Sequence, residues 1–317
     1  MSKRVLVIGE LNVDLIVSGL SSLPELGHEL VCTDMSRALG SSSAIFSRAL
    51  AGLGAQVGFM GKVGDDENGR FMLDQLREMG IDTSGVIVDP ATQTGITISL
   101  TFPSEKAQIT YPGSIAAYRH QDVKLEAFTH YSHLHMASMY LQTGLRPGIP
   151  GLLRRAKELG LSTSFDPGWD PANRWGQDLF EALEAVDILF LNEHETRAIG
   201  GGSSAPVRQA LVEIASHLVP GGLALCKLGA GGALLAKEAE LVQVDAHPVE
   251  VVDTTGAGDS FDAGFVFSHV VEGRAEVEAL HFANACGAIA VTRVGGASSV
   301  PRGAEVDKFL AAHGVGS

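Results

Sequence analysis

Short apolar segments alternate with stretches of helical periodicity along most of the chain. The strand-like segments span residues 5–8, 57–60, 134–136, 162–165, 188–191 and 223–228. Between them, apolar residues recur at helical spacing in residues 42–53, 67–79, 152–159 and 207–219. Fully apolar strands that alternate with helices are typical of a parallel sheet covered by helices on both faces. The pattern therefore predicts an α/β fold.

Two regions, residues 14–39 and 92–117, do not follow this rhythm. They alternate apolar and polar positions, as in GITISLT at residues 95–101, and show little helical periodicity. The two insertions are predicted to pair into a small sheet that covers one edge of the main domain. Ordinary hairpins without a covering role are the alternative. No linker separates the halves, so residues 1–317 are predicted to form a single domain.

Composition and charge narrow the function. The 317 residues include 23 Lys and Arg against 37 Asp and Glu, a net charge of −14 without a basic stripe, which disfavours a nucleic-acid partner. The apolar runs are too short for a membrane span or a signal sequence, so a cytoplasmic protein without membrane partners is expected. Cys226 and Cys286 lie in apolar runs and are predicted to be buried, reduced thiols.

The most informative motif is DTTGAGDSFDAG at residues 253–264. Its glycines precede an apolar-periodic run, which places a loop at a helix N-terminus, where free N–H groups can hold an anion. The backbone amides of Gly256, Ala257 and Gly258 could neutralise a phosphoryl group, and Asp259 could accept the proton of an attacking hydroxyl. Asp259 could also be a simple helix cap. No GxxxxGK[ST] motif is present, and GxGxxG does not follow the first strand.

This motif closely resembles the signature of the ribokinase-like (PfkB) family of carbohydrate kinases, and the resemblance covers nearly the whole chain. Further similar segments are GELNVD at residues 9–14, GKVGDDENG at 61–69, NEHE at 192–195 and KLGAGG at 227–232. The resemblance implies a three-layer α/β/α sandwich with a mostly parallel central sheet and a small β-sheet lid. It also implies phosphoryl transfer from MgATP to a sugar, and a homodimer formed through the lid.

The resemblance also implies roles for individual residues. ATP would be bound by Asn192, Lys227, Gly229, Gly232, Asn284, Gly295 and Gly296. Glu195 would hold Mg²⁺ through water, and Asp253 and Thr255 would help to form a site for a monovalent cation such as K⁺. Asn12, Asp14 and Gly40 would bind the acceptor, together with Asp166. Tyr140 and Gln142, just past the strand at residues 134–136, are further candidates for the substrate rim.

The chain departs from the family pattern in the acceptor region. In GSSSAIFS at residues 40–47, Ser41 replaces a second glycine and Ile45 replaces an asparagine that contacts the sugar. In DPGWD at residues 166–170, Asp170 replaces an arginine that holds an acidic substrate in some relatives. Negative charge there is expected to disfavour carboxylated or phosphorylated acceptors, which favours a neutral sugar or polyol.

Several alternatives stay open. A nucleoside kinase of the same family could sandwich a base between Phe46 and Trp169, although Trp169 could equally be a core residue. A non-catalytic sugar-binding regulator with this fold would be expected to have lost Asp259 or the glycines. Asn192 could merely cap a helix. Three histidines, His130, His133 and His135, could bind a metal, but roles in packing or at the substrate edge are favoured.

Overall fold

The computed structural model describes residues 3–102, 106–293 and 300–314. Its strands are β1 (Arg4–Ile8), β2 (Asn12–Ser18), β3 (Asp34–Leu39), β4 (Gln56–Gly64), β5 (Asp82–Asp89), β6 (Gly95–Thr101), β7 (Lys106–Tyr111), β8 (His133–Ala137), β9 (Ser162–Asp166), β10 (Ile188–Asn192), β11 (Leu223–Lys227), β12 (Ala233–Lys237) and β13 (Glu240–Val244). Its α-helices are α1 (Ser42–Leu53), α2 (Glu67–Arg77), α3 (Ser114–Ala117), α4 (Ile149–Glu158), α5 (Gln177–Leu183), α6 (Glu193–Ile199), α7 (Val207–Ala215), α8 (Ala257–Phe265), α9 (Glu276–Val291) and α10 (Gly303–Ala312).

Nine strands form one large sheet in the order β13-β12-β11-β10-β9-β8-β1-β4-β5. Every pair of neighbours from β11 to β5 is parallel, and β12 and β13 add an antiparallel hairpin at one edge. The carboxyl ends of the parallel strands therefore meet along one edge of the sheet, where α/β proteins bind their ligands. The predicted α/β fold is confirmed.

Helices cover both faces of this sheet because its strands are apolar on both sides. On β1, Val5 and Val7 belong to one core, which also contains apolar side chains of α1, α2, α8, α9 and α10. Leu6 and Ile8 point the other way, into a second core with α4, α5 and α7. The four side chains are completely buried. This two-sided burial explains the near-continuous apolar runs that mark the strands in the sequence.

A separate four-stranded sheet has the order β3-β2-β6-β7 and is called the small sheet below. It contains strands from both regions that break the helical rhythm, so the predicted small sheet is confirmed. The first region differs from the prediction in its middle, because residues 19–33 form no strand. Pro24 and the left-handed Gly27 (φ 83°) lie there and are unsuited to a sheet interior.

The two faces of the small sheet differ in chemistry. Strand register places Asn12, Asp14, Thr97, Ser99 and Thr110 on one face, where Asp14, Thr97 and Ser99 are buried. The opposite face is apolar and partly open to solvent: Met35, Ile98, Ile109 and Tyr111 are between 37% and 64% exposed. The apolar face is buried only at its base, where Val13 and Leu39 join the core that contains α1 and α2.

Asp66 fastens the small sheet to the large one. Its Oδ1 accepts hydrogen bonds from the Gly69 amide (2.7 Å) and the Thr94 hydroxyl (2.7 Å), and its Oδ2 accepts one from the Thr94 amide (2.8 Å). The Thr94 hydroxyl oxygen also accepts a bond from the Gly64 amide at 2.9 Å. Asp66 thereby caps α2 and holds the chain just before β6, which accounts for the GKVGDDENG segment.

Within the described residues, no helix is both long and apolar enough to cross a bilayer. Cys226 and Cys286 are buried and unpaired, as predicted, and Cys32 is partly buried. Burial raises the pKa of the Cys226 thiol to about 11, which makes it unreactive at neutral pH.

Candidate active site

The glycine-rich motif forms the start of α8. Gly256 adopts a left-handed conformation (φ 72°) that a residue with a side chain rarely takes, and the helix begins at Ala257. The free amides of the first turn lie here, and Asp259 is the acidic residue of that turn. The predicted anion-binding residues and Asp259 are therefore brought together at one helix N-terminus.

Asp259 lies in a strongly electrostatic environment. Burial raises the pKa of its carboxyl group to about 7, the carboxylates of Asp166 and Glu10 add to this effect, and the Lys227 ammonium and a hydrogen bond with Ser42 oppose it. A carboxyl group with this pKa is present in both protonation states near neutral pH. That property suits a general base, whose pKa should lie close to the working pH.

Lys227 is the cation of this region. It ends β11, and its Nζ lies 2.8 Å from Oδ2 of Asp166 and 3.0 Å from both carboxyl oxygens of Asp262. Asp166 ends β9 and also accepts a bond from the Gly168 amide at 2.9 Å. Sequence analysis assigned Asp166 to the acceptor and did not single out Asp262. The structure connects both to Lys227.

A cleft of about 480 Å³ opens beside the α8 N-terminus. Six predicted site residues line it, namely Lys227, Gly229, Gly232, Ala257, Gly258 and Asn284. Apolar residues that the sequence did not reveal complete its walls, among them Pro248, Val249, Val251, Phe261 and Val291. Such a lining, with a few polar groups, is typical of a small-molecule site. Gly295 and Gly296, also predicted to bind ATP, lie outside the described residues.

Two predicted nucleotide residues also shape the cleft. Gly232 has φ 83°, and a Cβ atom there would lie 2.0 Å from the Val244 carbonyl oxygen, so only glycine fits. Asn284, on α9, donates hydrogen bonds to the carbonyls of Val244 (3.4 Å) and Asp245 (3.3 Å). Asn284 thus ties α9 to the segment that closes one side of the cleft.

Asn192 and Glu195 form a capping box at the start of α6. The Glu195 amide donates to Oδ1 of Asn192 (2.9 Å), and the Asn192 amide donates to Oε2 of Glu195 (2.8 Å). Burial, reinforced by Asp166 and opposed by Lys227, raises the pKa of Glu195 to about 7. A buried carboxyl group with a raised pKa fits a role beside a cation, because a nearby positive charge restores its ionised form.

The predicted metal residues are otherwise not clustered. Within the described residues, no group of three or more Asp, Glu, His or Cys side chains could hold a metal ion. Oδ1 of Asp253 accepts a bond from the Thr255 amide at 2.9 Å. The role of these two residues in binding K⁺ stays a prediction.

Asn12, Asp14 and Gly40 converge on the polar face of the small sheet. Asn12 Nδ2 donates to Oδ1 of Asp14 (2.9 Å) and to the Thr97 hydroxyl (3.1 Å), which lies 3.0 Å from the Thr110 hydroxyl. A Cβ atom at Gly40 would lie 2.1 Å from Oδ1 of Asp14. Sequence analysis missed the two threonines, because the pairing of β2 with β6 that brings them to Asn12 joins distant parts of the chain.

Ser41 and Ile45 mark the departure from the family pattern. The Ser41 hydroxyl caps α1 by accepting a bond from the Ala44 amide (3.1 Å), and it donates to the Glu10 carbonyl (2.5 Å). Ser41 has φ 76°, a conformation that glycine adopts without strain. Ile45 is 4% exposed and packs in the core. The hydroxyls that reach acidic side chains are those of Ser43, which donates to Oε2 of Glu10 at 2.6 Å, and of Ser42, which bonds to Asp259.

Phe46 does not face a ligand site. It is 1% exposed and stacks on the His135 ring at a centroid distance of 3.6 Å. The alternative in which Phe46 and Trp169 sandwich a base is therefore wrong, because Phe46 is buried in the core. Trp169, by contrast, is 48% exposed and packs edge-on against Trp175, so it is not a core residue.

Asp170 is bonded to the backbone of its own turn. It is 3% exposed and accepts hydrogen bonds from the amides of Ala172 (2.9 Å), Arg174 (2.8 Å) and Trp175 (3.0 Å). These bonds outweigh burial and hold its pKa below the ordinary value. The carboxylate organises its own turn, and because it keeps its negative charge, its effect on a charged acceptor stays a prediction.

The predicted rim residues are buried. Gln142 is completely buried and donates to the Ala137 carbonyl at 2.5 Å. Tyr140 is 6% exposed and packs against Trp175 and the Arg146 guanidinium. Neither residue therefore presents an exposed surface at a substrate rim, because their side chains fill the core above β8.

The central histidines are packing residues. The His133 ring nitrogens lie 2.7 Å and 2.8 Å from the hydroxyls of Ser162 and Ser164, and Nδ1 of His135 lies 2.8 Å from the Ser164 hydroxyl. Burial lowers the pKa of each ring to about 3, so both are neutral. His130 is exposed and apart from them.

An anion-binding helix N-terminus, a carboxyl group with a pKa near 7 and an adjoining cleft are the parts that a phosphoryl-transfer enzyme needs. Comparison with known proteins agrees. Residues 2–302 match the pfkB family carbohydrate kinases. An ATP-dependent ribose-1-phosphate kinase of Halopiger xanaduensis is 32% identical over 97% of this chain and 98% of its own. The ribokinase of Haemophilus influenzae is 28% identical over 98% and 99%.

A solved ribokinase structure shares the fold of this chain. The structure of Arabidopsis thaliana ribokinase complexed with ribose and ATP superposes with a TM-score of 0.85 at 25% identity, covering 98% of this chain and 99% of that one. The chain therefore belongs to the pfkB family of carbohydrate kinases. It is a phosphotransferase that acts on a sugar hydroxyl.

Proposed function

We propose that the protein transfers the γ-phosphoryl group of MgATP to a hydroxyl of a neutral sugar or polyol. The observation that carries this proposal is the position of Asp259 in the first turn of α8, beside Gly258 and Lys227 of the cleft and under the influence of Glu10. A base at this point can reach an acceptor on one side while the amides meet a phosphate on the other.

Each part has a defined task in this proposal. Asp259 accepts the proton of the attacking hydroxyl, and the amides of residues 256–258 stabilise charge on the transferred group. Asp14 and Asn12 orient the acceptor from the small sheet. That sheet acts as a lid that excludes water, which limits wasteful hydrolysis of ATP. Asn192 and Glu195 would hold the Mg²⁺ that accompanies ATP, and this ion would supply further charge neutralisation on the phosphates.

The choice of a neutral acceptor rests on charge. Glu10 and Asp166 act electrostatically on Asp259, and Asp14 adds a further carboxyl group on the acceptor side. Lys227, the cation that acts on Asp259, is already paired with Asp166 and Asp262. An acceptor without negative charge avoids repulsion in such surroundings.

A second candidate is a sugar phosphate. The relative with 32% identity is named for its action on ribose 1-phosphate, and Asp170, which was expected to repel such a substrate, is bonded within its own turn. A nucleoside acceptor keeps less support, since Phe46 is stacked in the core.

We also propose that two copies pair through the apolar face of the small sheet. Ile98 and Ile109 oppose each other on this face, as do Ile96 and Tyr111, and their exposure leaves apolar surface for a partner to cover. A second copy presents the same surface, so a twofold interface is self-complementary.

The decisive assay measures ADP release from MgATP with neutral sugars, sugar acids, sugar phosphates and nucleosides. Each is tested with and without K⁺, and with the Asp259→Ala variant in parallel. A neutral sugar that is active with the wild type and inactive with the variant supports the proposal. If ribose 1-phosphate or a nucleoside is the only acceptor that is phosphorylated, that compound class replaces the neutral sugar in the proposal. Turnover in Asp259→Ala at the wild-type rate contradicts the mechanism.

A further inference from the structure

Asp262 is a deeply buried carboxyl group that has no task in the mechanism above. It lies one helical turn beyond Asp259 on α8, and its side chain is 2% exposed. Both of its oxygens are 3.0 Å from Nζ of Lys227. Burying an ionisable group is costly unless it is paired, so its position calls for a specific explanation.

The Lys227 ammonium group is held from two sides at the phosphate end of the nucleotide cleft. Asp166 reaches it from β9 and Asp262 from α8. A Cβ atom at Gly258 would lie 3.5 Å from Nζ, which places the ammonium group against the first turn of α8. The two carboxyl groups thus fix a flexible side chain next to the amides that can hold a phosphate.

The charge of this cluster matters because a triphosphate has to bind beside it. Asp166 and Asp262 contact the same ammonium group, so two ionised carboxylates would repel each other at close range. Burial, reinforced by Asp166 and opposed by Lys227, raises the pKa of Asp262 well above its ordinary value. For Asp166, Lys227 and the hydrogen bonds outweigh burial and lower the pKa. Of the two carboxyl groups, Asp262 is therefore the one that takes up a proton more readily.

Three other titratable groups face the cluster. Asp259 on α8 acts on Asp262, Glu195 on α6 acts on Lys227, and His135 on β8 feels both Asp166 and Lys227. His135 is neutral because of its burial. Asp259 and Glu195 are acidic, so an ionised Asp262 would add further negative charge to a region that already contains two carboxyl groups near the phosphates.

We propose that Asp262 is a positioning residue that, as a neutral carboxyl group, holds the Lys227 ammonium group against the first turn of α8. The inference rests on the proposed function, in which that turn binds the transferred phosphoryl group. An ammonium group fixed there keeps its position beside the terminal phosphates without reorganisation during the reaction. A neutral partner holds Lys227 without placing a second negative charge beside them.

Two substitutions at Asp262 test this role. Asp262→Asn keeps a neutral side chain that can donate to Asp166 and accept from Lys227, so kcat/KM for ATP should stay within about fivefold of the wild type. Asp262→Leu fills a similar volume but leaves Lys227 held by Asp166 alone, so the ammonium group should shift and kcat should fall roughly 100-fold, with a smaller change in KM. If Asp262→Leu has the kcat of the wild type, Asp262 has no positioning role. If Asp262→Asn is as impaired as Asp262→Leu, the carboxyl group does not act in its neutral form.

The pH dependence provides a readout that a purely structural residue would not change. Lys227 favours the ionised form of Asp259, so its displacement in Asp262→Leu should raise the pKa of Asp259. The acid limb of the pH profile of kcat/KM should therefore move to higher pH. An unmoved acid limb in this variant overturns the proposal.

A double substitution identifies the path of the effect. In a Lys227→Met background, Asp262→Leu should cause no further loss of ATP affinity, because the group that it positions is already absent. Independent, multiplicative losses from the two substitutions overturn the inference.

Nucleotide binding separates this inference from the proposed function. In calorimetric titrations, Asp262→Leu should bind ATP about tenfold more weakly and AMP with unchanged affinity, since only ATP reaches the position of Lys227. This comparison holds even if no acceptor in the panel is phosphorylated. Equal ATP affinity in wild type and variant, or an equal loss for ATP and AMP, overturns the inference.

Discussion

Asp259 is the residue on which the proposed chemistry depends most. Substitution by Asn keeps the shape of the side chain but removes the base, so kcat should fall by about 10²–10⁴-fold while ATP affinity is retained. In the wild type, kcat/KM should rise with pH up to about 7, since the ionised form is the active one. Steady-state rates between pH 5 and 9 measure both effects, and a flat profile in the wild type would contradict the assignment.

Asp259 should lower the free energy of unfolding at neutral pH. Its pKa is raised in the folded state, so its favourable contribution is full below the unfolded value of 3.8 and is lost as the pH rises through about 7. Asp259→Asn should therefore raise the melting temperature at pH 8 more than at pH 5. A larger gain at pH 5 than at pH 8 would speak against this environment for the carboxyl group.

Gly40 is required because of the acceptor residues beside it. In Gly40→Ala the new methyl group would meet Asp14 and Asn12, and their displacement should lower kcat/KM for the acceptor roughly 10- to 100-fold with little change in ATP affinity. Gly151→Ala is the matched control, since nothing lies within 4 Å of that exposed helical position. The control should be neutral or slightly stabilising. Equal behaviour of the two variants would remove Gly40 from the acceptor site.

At the scale of elements, the connection between Asp66 and Thr94 joins α2 to the start of β6. Asp66→Ala should lower the free energy of unfolding by about 2 kcal/mol, because it removes a helix cap and leaves the Thr94 amide without its partner. Asp65→Ala, at the neighbouring exposed position, should change it by less than about 0.5 kcal/mol. Chemical denaturation measures the difference.

The effect of Asp66 should also depend on pH. Its hydrogen bonds outweigh burial and lower its pKa below 3.8, so its contribution to stability is present above that value and is lost as the pH falls through the folded pKa. The difference in the free energy of unfolding between wild type and Asp66→Ala should therefore become smaller in strong acid. A larger difference in strong acid would contradict the hydrogen bonds that Asp66 accepts as a carboxylate.

The elements themselves were largely predictable. The helix predicted for residues 42–53 is α1, and the six predicted strands are all present, because two-sided burial leaves an unmistakable apolar pattern. Helix ends were less predictable: the helix expected over 207–219 stops at Ala215. The irregular segment at 19–33 was read as β-rich because its mixed polar and apolar sequence resembles that of the strands that flank it.

The candidate site was predictable only where one motif contains it. The loop at residues 256–259 is continuous in sequence, so its glycines and Asp259 identify it directly. Asp166, Lys227 and Asp262 come from three distant elements, and nothing local indicates that they meet. The contacts of Asp170 and Phe46 could not be predicted for the same reason. Their partners, backbone amides in one case and His135 in the other, become apparent only in the folded chain.

For the whole molecule, the apolar face of the small sheet predicts self-association. The 33.2-kDa chain should elute as a dimer, and Ile109→Lys should raise the dimer dissociation constant roughly tenfold or more by placing a charge in the interface. Gln108→Lys, the adjacent residue on the opposite face, should leave it unchanged. Light scattering coupled to gel filtration measures both, and a wild-type monomer would contradict the proposed interface.

The two halves of the proposed site belong to different sheets. The cleft is built from β11, α8 and α9 of the large sheet and its helices, whereas Asn12, Asp14 and Thr97 belong to strands of the small sheet. Because the small sheet is a separate structural unit, its sequence can drift or be exchanged while the phosphate-handling half is preserved. Replacing the small sheet of one kinase by that of another should therefore change the acceptor preference. The small sheet is for this reason the part of the chain best suited to engineering by exchange.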